Sequence, residues 1–328
     1  MARFFRSALL LATTTVAAGV LAVPGAAFAA DTTTDLSATE MAAAFKTIAG
    51  TTTTVAAKGW AGTAKVKSSE GTGTGAFVTD PVTGRASVVS VFDGVTETDY
   101  GVAKKGTYET ISTAKQKAAL KMIKRTSVRF VFKPKSTLKL STWLEDYSAP
   151  PTMLLDFGTA AGTRTVHDDG TVTYKFEDED EFIVNVTTNT AGAVSSALLA
   201  YDPYARVTYS YTYGKQTVAL PSSAKTISQA DLKKALAYVY LASDVKKLAK
   251  TSAADVKDVA NGHTVKVATL RKVVRRHVTS FNTSAGLTVV AVTNVSGGIK
   301  ISAKNPYTGL KVAYTIKASG KKVVVKKI

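Results

Sequence analysis

Three histidines, one run of carboxylates and one stripe of cations are the features of this 328-residue chain that could do chemistry. His167, His263 and His277 are scattered. His167 precedes Asp168-Asp169, an imidazole beside carboxylates, which is how a general base is oriented. No nucleophile accompanies it. The chain has no cysteine, and the G-x-S-x-G, H-E-x-x-H and P-loop patterns are absent. Asp168-Asp169-Gly170 reads more simply as a turn. The run Glu177–Glu181 would attract a cation, but it lacks EF-hand spacing and falls where a hairpin turn is expected, so it reads as solvated. The N-x-S/T patterns at Asn185, Asn282 and Asn294 carry little meaning beside a bacterial-type export signal. These residues predict a protein that is not an enzyme, with no cofactor and no metal.

The cations are more informative. Arg271, Lys272, Arg275 and Arg276 fall at i, i+1, i+4 and i+5 of a helix expected over 267–279, and so form one basic stripe opposite Leu270, Val273, Val274 and Val278. The surrounding charge is lopsided. Residues 31–227 hold 21 Lys+Arg against 20 Asp+Glu; residues 228–328 hold 19 against 4. A charge of roughly 2–8 keeps a small domain soluble, so a net of +15 over this stretch asks for an anionic partner. Anionic envelope polymers or phospholipid headgroups fit, each basic group near a lipid surface contributing about 1 kcal/mol. Nucleic acid fits the charge, but no base-reading helix or stacking platform is evident. A surface that only prevents aggregation is the plainer alternative.

Residues 1–29 read as a cleaved export segment, with Arg3 and Arg6 at the start, apolar Ala8–Val23, and Ala27-Phe28-Ala29 as an A-x-A site. Cleavage after Ala29 predicts a secreted, envelope-associated chain beginning at Ala30. The absence of cysteine excludes a lipobox anchor and any disulfide.

The expected elements define two domains, 30–227 and 228–328. In the first, Ser37-Ala-Thr-Glu40 is a capping box, and Met41, Ala44, Phe45 and Ile48 recur at helical spacing until Gly50. Strands follow near 53–60, 62–68, 74–80, 85–93 and 96–103. A helix is expected at 113–124 with Ser112 as its cap, and a strand at 128–132. An irregular segment at 134–158 is rich in large apolar groups, and a meander closes the domain over 163–220. One hairpin pattern recurs around Asp80-Pro81, Asp202-Pro203 and Asn305-Pro306, which raises internal repetition.

The second domain offers a helix from Ser228 through Val245, a helix at 252–260, the basic-stripe helix, and a four-strand meander over 287–325. In that meander Ile299, Ile301, Val312, Tyr314 and Ile316 alternate with Lys300, Ser302, Lys304, Lys311, Thr315 and Lys317. The fold class is therefore α+β: a curved antiparallel sheet (an incomplete barrel) with helices on its concave side, and a smaller α+β domain of helices and a four-strand antiparallel meander.

The element order of 36–226, and the ending VTYSYTYGKQTVALP, in which a tyrosine-rich strand meets glycine, a short strand and proline, resemble the LolA-like half-barrel family of lipoprotein and lipid carriers. Two features depart from that family's actinobacterial lipid carriers: the anchoring cysteine is absent, and a basic extension of about a hundred residues follows. The resemblance implies an incomplete barrel whose helix-plugged concave side holds acyl chains. Met41, Phe45, Ile48, Leu120, Ile123, Trp143, Leu144, Met153, Leu154 and Phe157 are the side chains that would line it. The expected function is a non-enzymatic lipid or lipoglycan carrier that docks through its basic domain. The alternative is a structural or adhesive wall protein without a cavity.

Overall fold

A computed structural model describes residues 31–155, 160–177, 182–201 and 204–328. The export segment, Phe157, residues 178–181 of the acidic run and the Asp202-Pro203 turn lie outside the described residues. The chain forms two compact units. The first ends at Thr110 and resumes over Phe132–Pro221; the second comprises Ile111–Val131 and Ser222–Ile328. The segment 111–131, expected in the first domain, thus clusters with the second.

The first unit opens with strand β1 (Thr32–Leu36), which its polar TTTDL sequence did not announce, and helix α1 (Ala38–Ala56). The capping box forms: Ser37 Oγ accepts from the Glu40 amide at 3.3 Å, and Glu40 Oε2 accepts from the Ser37 amide at 2.8 Å. The helix continues through Gly50, which was expected to end it. The hydroxyls of Thr51, Thr53 and Thr54 donate to carbonyls four residues back, so these threonines are accommodated in the helix. Thr52 is fully buried, and its Oγ1 accepts from the Val194 amide at 3.1 Å. Tertiary contact overrides weak propensity here, and the strand expected at 53–60 is helix as far as Ala56.

Strands β2 (Trp60–Ser68), β3 (Gly71–Asp80), β4 (Arg85–Phe92), β5 (Val95–Val102) and β6 (Gly106–Thr110) form one antiparallel meander. Helix α2 (Ala114–Met122) belongs to the second unit, and β7 (Phe130–Pro134) leads back to the first. Helix α3 (Leu140–Glu145) and a 3-10 turn (Pro151–Leu155) precede a second meander. Its strands are β8 (Gly162–Val166), β9 (Val172–Glu177), β10 (Ile183–Thr188), β11 (Val194–Tyr201) and β12 (Ala205–Tyr213). No strand forms at 215–220, the short strand expected after Gly214. The strands described so far run in the order β1-β8-β9-β10-β11-β12-β2-β3-β4-β5-β6-β7, an open sheet whose two meanders join along β12 and β2. α1, α3 and the 3-10 turn pack on one face of it, in a core from Met41 to Tyr211.

In the second unit α2 is capped by Thr113, not Ser112: Thr113 Oγ1 accepts from the Gln116 amide at 3.2 Å, and Gln116 Oε1 accepts from the Thr113 amide at 3.1 Å. A three-residue strand, β13 (Thr226–Ser228), leads into helices α4 (Gln229–Leu236), α5 (Leu241–Ala260) and α6 (Val267–Ala285). The helices expected around Val245 and at 252–260 are one helix, α5. Leu241, Val245, Leu248, Ser252 and Val256 make an unbroken buried stripe at spacings of three and four. α5 and α6 cover a four-strand antiparallel sheet of β14 (Val290–Val295), β15 (Gly298–Lys304), β16 (Lys311–Ser319) and β17 (Lys322–Lys327), as the alternation predicted. Ile299, Ile301 and Ile316 on its helix side are fully buried. The β15–β16 turn is held by Asn305 Oδ1, which accepts from the amides of Tyr307 and Thr308 at 2.9 and 3.2 Å. Asp80 Oδ1 holds the β3–β4 turn by accepting from the Thr83 amide at 3.1 Å. Among the described residues no helix is long and apolar enough to cross a membrane.

Candidate functional site

The apolar face of the first unit is assembled by matching large groups to small ones. Along the β12–β2 seam Tyr209 faces Ala64, Tyr211 faces Gly62 and Tyr213 faces Trp60. A Cβ on Gly62 would lie 2.7 Å from the Tyr211 ring, and one on Gly75 would lie 2.8 Å from the Phe77 ring. At Gly101 the covering groups come from α3: a Cβ there would meet Trp143 at 2.7 Å and Leu140 at 2.9 Å. The strands thus supply a thin floor, and the helices supply much of the volume above it.

Met41, Phe45 and Ile48 recur at i, i+4 and i+7, so they point from one side of α1 onto that floor. Phe45 meets Tyr174 and Phe176 of β9 edge-on, with ring centres 6.1 and 5.6 Å apart. Trp143, Leu144 and Leu154 join the same cluster, and Met153 on the 3-10 turn is half-buried. Six expected lining residues are therefore brought together. Leu120 and Ile123 are not. They sit in the second unit's small core with Val128, Val131, Ile227 and Leu232, because α2 packs its apolar side on α4. The sequence reading missed the floor: Phe77, Tyr174, Phe176, Tyr209 and Tyr211 belong to the same cluster. The two-residue alternation of β12 was the signal for its tyrosines.

A cleft of about 130 Å³ reaches Trp143 between Lys135, Thr137, Leu138, Lys139, Thr142 and Asp146. On the sheet beneath α3, Asp99 Oδ2 accepts from the Tyr147 hydroxyl at 2.8 Å and Oδ1 accepts from the Thr110 amide at 3.0 Å. Burial pushes the Asp99 carboxyl up to about 6; the bonds from Tyr147 and Thr110 oppose the rise, and Glu109 and Glu97 add to it. Burial, with Asp99 next, also raises the Tyr147 phenol. Glu109 pairs with Lys133. This is a positioning network, with no thiol and no imidazole in it.

His167 and His277 are satisfied separately. His167 Nδ1 is 2.9 Å from Asp31 and its Nε2 is 2.9 Å from the Thr173 hydroxyl, while His277 Nε2 is 2.7 Å from Asp255. Among the described residues no three metal-ligating side chains converge.

The basic stripe on α6 is partly engaged. Arg271 donates through Nε and a terminal nitrogen to the carbonyls of Gly298 and Val295, at 3.0 and 2.9 Å, tying α6 to the β14–β15 turn. Arg275 donates to Asn294 Oδ1 at 2.9 Å, and Arg276 lies 3.8 Å from Asp255. Lys272 is exposed. Further exposed cations, Lys304, Lys311, Lys317, Lys322 and Lys326, stand on the four-strand sheet. With 111–131 counted where it folds, the second unit holds 26 Lys+Arg against 4 Asp+Glu, and the remainder of the chain holds 16 against 20.

No known family model and no curated protein matches the chain. Solved structures with distant similarity include the following two. An uncharacterised conserved protein from Thermus thermophilus is 11% identical with a TM-score of 0.27, over 56% of this chain and 98% of that one. The MucA/MucB complex of Pseudomonas aeruginosa is 10% identical with a TM-score of 0.24, over 86% of this chain and 77% of that one. Neither likeness assigns the chain to the half-barrel family that the sequence resembles, and neither is close enough to carry a functional inference.

Proposed function

We propose that this protein is a secreted, non-enzymatic carrier of acyl chains in the bacterial envelope. The first unit holds the chain against its open sheet, and the basic second unit docks to an anionic partner. One observation carries the reading: over Gly101 the floor of the sheet is covered by Trp143 and Leu140 of the six-residue helix α3. Displacing α3 would uncover the floor at Gly101 without breaking a strand ladder, and would leave Leu154 of the 3-10 turn as lining. Magnitudes allow the exchange. Burying three or four large side chains contributes roughly 5–10 kcal/mol. A chain of a dozen methylenes contributes about 10 kcal/mol at about 0.8 each. One acyl chain can therefore stand in for the plug it displaces. Lys135 and Lys139 beside the Trp143 cleft suit an anionic headgroup at the mouth.

A second reading, a structural or adhesive wall protein, is favoured by the close packing of the face: Met41, Val184 and Val186 are fully buried. Titration with a fluorescent fatty acid separates the two. A carrier saturates near one site per chain, and Leu154→Asp, checked for its fold by circular dichroism, weakens binding at least ten-fold. Absence of saturable binding would leave the structural reading.

A further inference from the structure

The outer face of the four-strand sheet has a composition that its helix-covered side does not explain. The pairing aligns Lys300 with Thr315 and Thr315 with Lys326 in one row, and Lys304 directly with Lys311 in another. Lys317 and Lys322 lie on the same face. Between them stand Ala291, Thr293, Ser302, Ala313 and Thr315. Five of the six lysines are exposed, Lys300 is half-buried, and none takes part in an ion pair among the described residues.

No internal counter-charge is within reach along the chain, because no Asp or Glu follows Asp258. Like charges directly opposite on a sheet are destabilising, and at Lys304 and Lys311 the fold tolerates that cost. Same-face residues recur about 6.7 Å apart along a strand, and neighbouring strands lie about 4.8 Å apart. The lysines therefore form a lattice of cations over a shallow floor of small side chains.

We infer that this face binds a flexible, linear phosphodiester polymer without bases, laid across the sheet from Lys304/Lys311 toward Lys317/Lys322. The inference rests on the proposed docking role of the second unit and narrows it, moving the site from α6 to the sheet. A bilayer surface is a poorer match. The large apolar side chains of this face that stand well exposed are Val324 on edge strand β17 and the terminal Ile328, too few to insert. Nucleic acid is a poorer match too, because the face carries no aromatic ring on which a base could stack. A polymer of small repeats needs neither. Its phosphates can settle between paired lysines and relieve their repulsion.

The purified full chain would be titrated with poly(glycerol phosphate), with phosphatidylglycerol vesicles and with oligo-thymidylate, each at matched phosphate concentration. Poly(glycerol phosphate) binds tightest, and its affinity falls by about two to three orders of magnitude between about 50 and 200 mM salt, as about six phosphate contacts require. Lys304→Ser/Lys311→Ser and Lys300→Ser/Lys326→Ser each weaken it about ten-fold, with an unchanged or higher melting temperature. Lys272→Ser/Arg276→Ser on α6 changes it by less than about three-fold, since exposed charges more than about 8 Å away are screened. Tighter binding of vesicles or of oligo-thymidylate overturns the inference, as does an equal loss from the α6 pair. Polymer binding without fatty-acid binding would defeat the carrier reading alone; fatty-acid binding without polymer binding would defeat this inference alone.

Discussion

The carboxyl of Asp99 stands between two opposing effects. The hydrogen bonds from Tyr147 and Thr110 favour its ionised form, while burial under α3 favours the neutral one, and burial wins. The sign of the consequence follows. With the folded carboxyl raised from 3.8 to about 6, the folded state holds the proton more tightly than the unfolded state. This group's penalty is absent below about pH 4, grows as pH rises through 6, and is complete above it. Asp99→Asn keeps an acceptor for the Thr110 amide and can donate its own N–H to the Tyr147 hydroxyl, without the charge. It should flatten the pH dependence of the melting temperature between about pH 4 and 6 and raise stability at pH 7 by roughly 1–2 kcal/mol. A variant that melts lower at pH 7, with the same pH profile as the parent, would show that the ionised carboxylate is the stabilising form.

Among the elements, α6 carries four cations that its sequence presents as one set and that the fold treats differently. Arg271, Lys272, Arg275 and Arg276 look equivalent on a helical wheel, and spacing alone puts them on one stripe. Arg271, however, bonds two turn carbonyls across 24 and 27 residues of chain, and no local pattern announces that. Arg271→Ser should cost about 1–2 kcal/mol of stability, because two charge-assisted bonds to carbonyls are lost. Lys272→Ser should cost less than about 0.5 kcal/mol, as exposed substitutions do. Thermal melts of the two variants check this, and equal melting temperatures would contradict it. The elements legible in the sequence were those whose periodicity met no rival: α6, the β14–β17 alternation and the Ser37 cap. Gly50 misled because Thr52 is held from 142 residues away. β1 stayed hidden because a polar edge strand takes its order from β8, its neighbour in space. α2 was legible as a helix but not as part of the second unit, since its partner α4 lies more than a hundred residues on. That distance also split the expected lining set, leaving Leu120 and Ile123 apart from Met41, Phe45 and Trp143.

For the whole molecule, the two units differ in charge and in architecture. The first has an open sheet plugged by helices and an excess of acids; the second has 22 more basic than acidic side chains and a compact helix-on-sheet core. Under the proposed function this separation would let a cargo site and a docking surface vary independently. It also makes the central claim, that the plugged face of the first unit holds acyl chains, open to direct observation. Native mass spectrometry of the chain purified from a bacterial host tests it without a chosen ligand. The account predicts a substoichiometric adduct of lipid mass that organic solvent extracts and that is depleted in Leu154→Asp. A single unadducted species, unchanged after incubation with fatty acids or phospholipids, would contradict it.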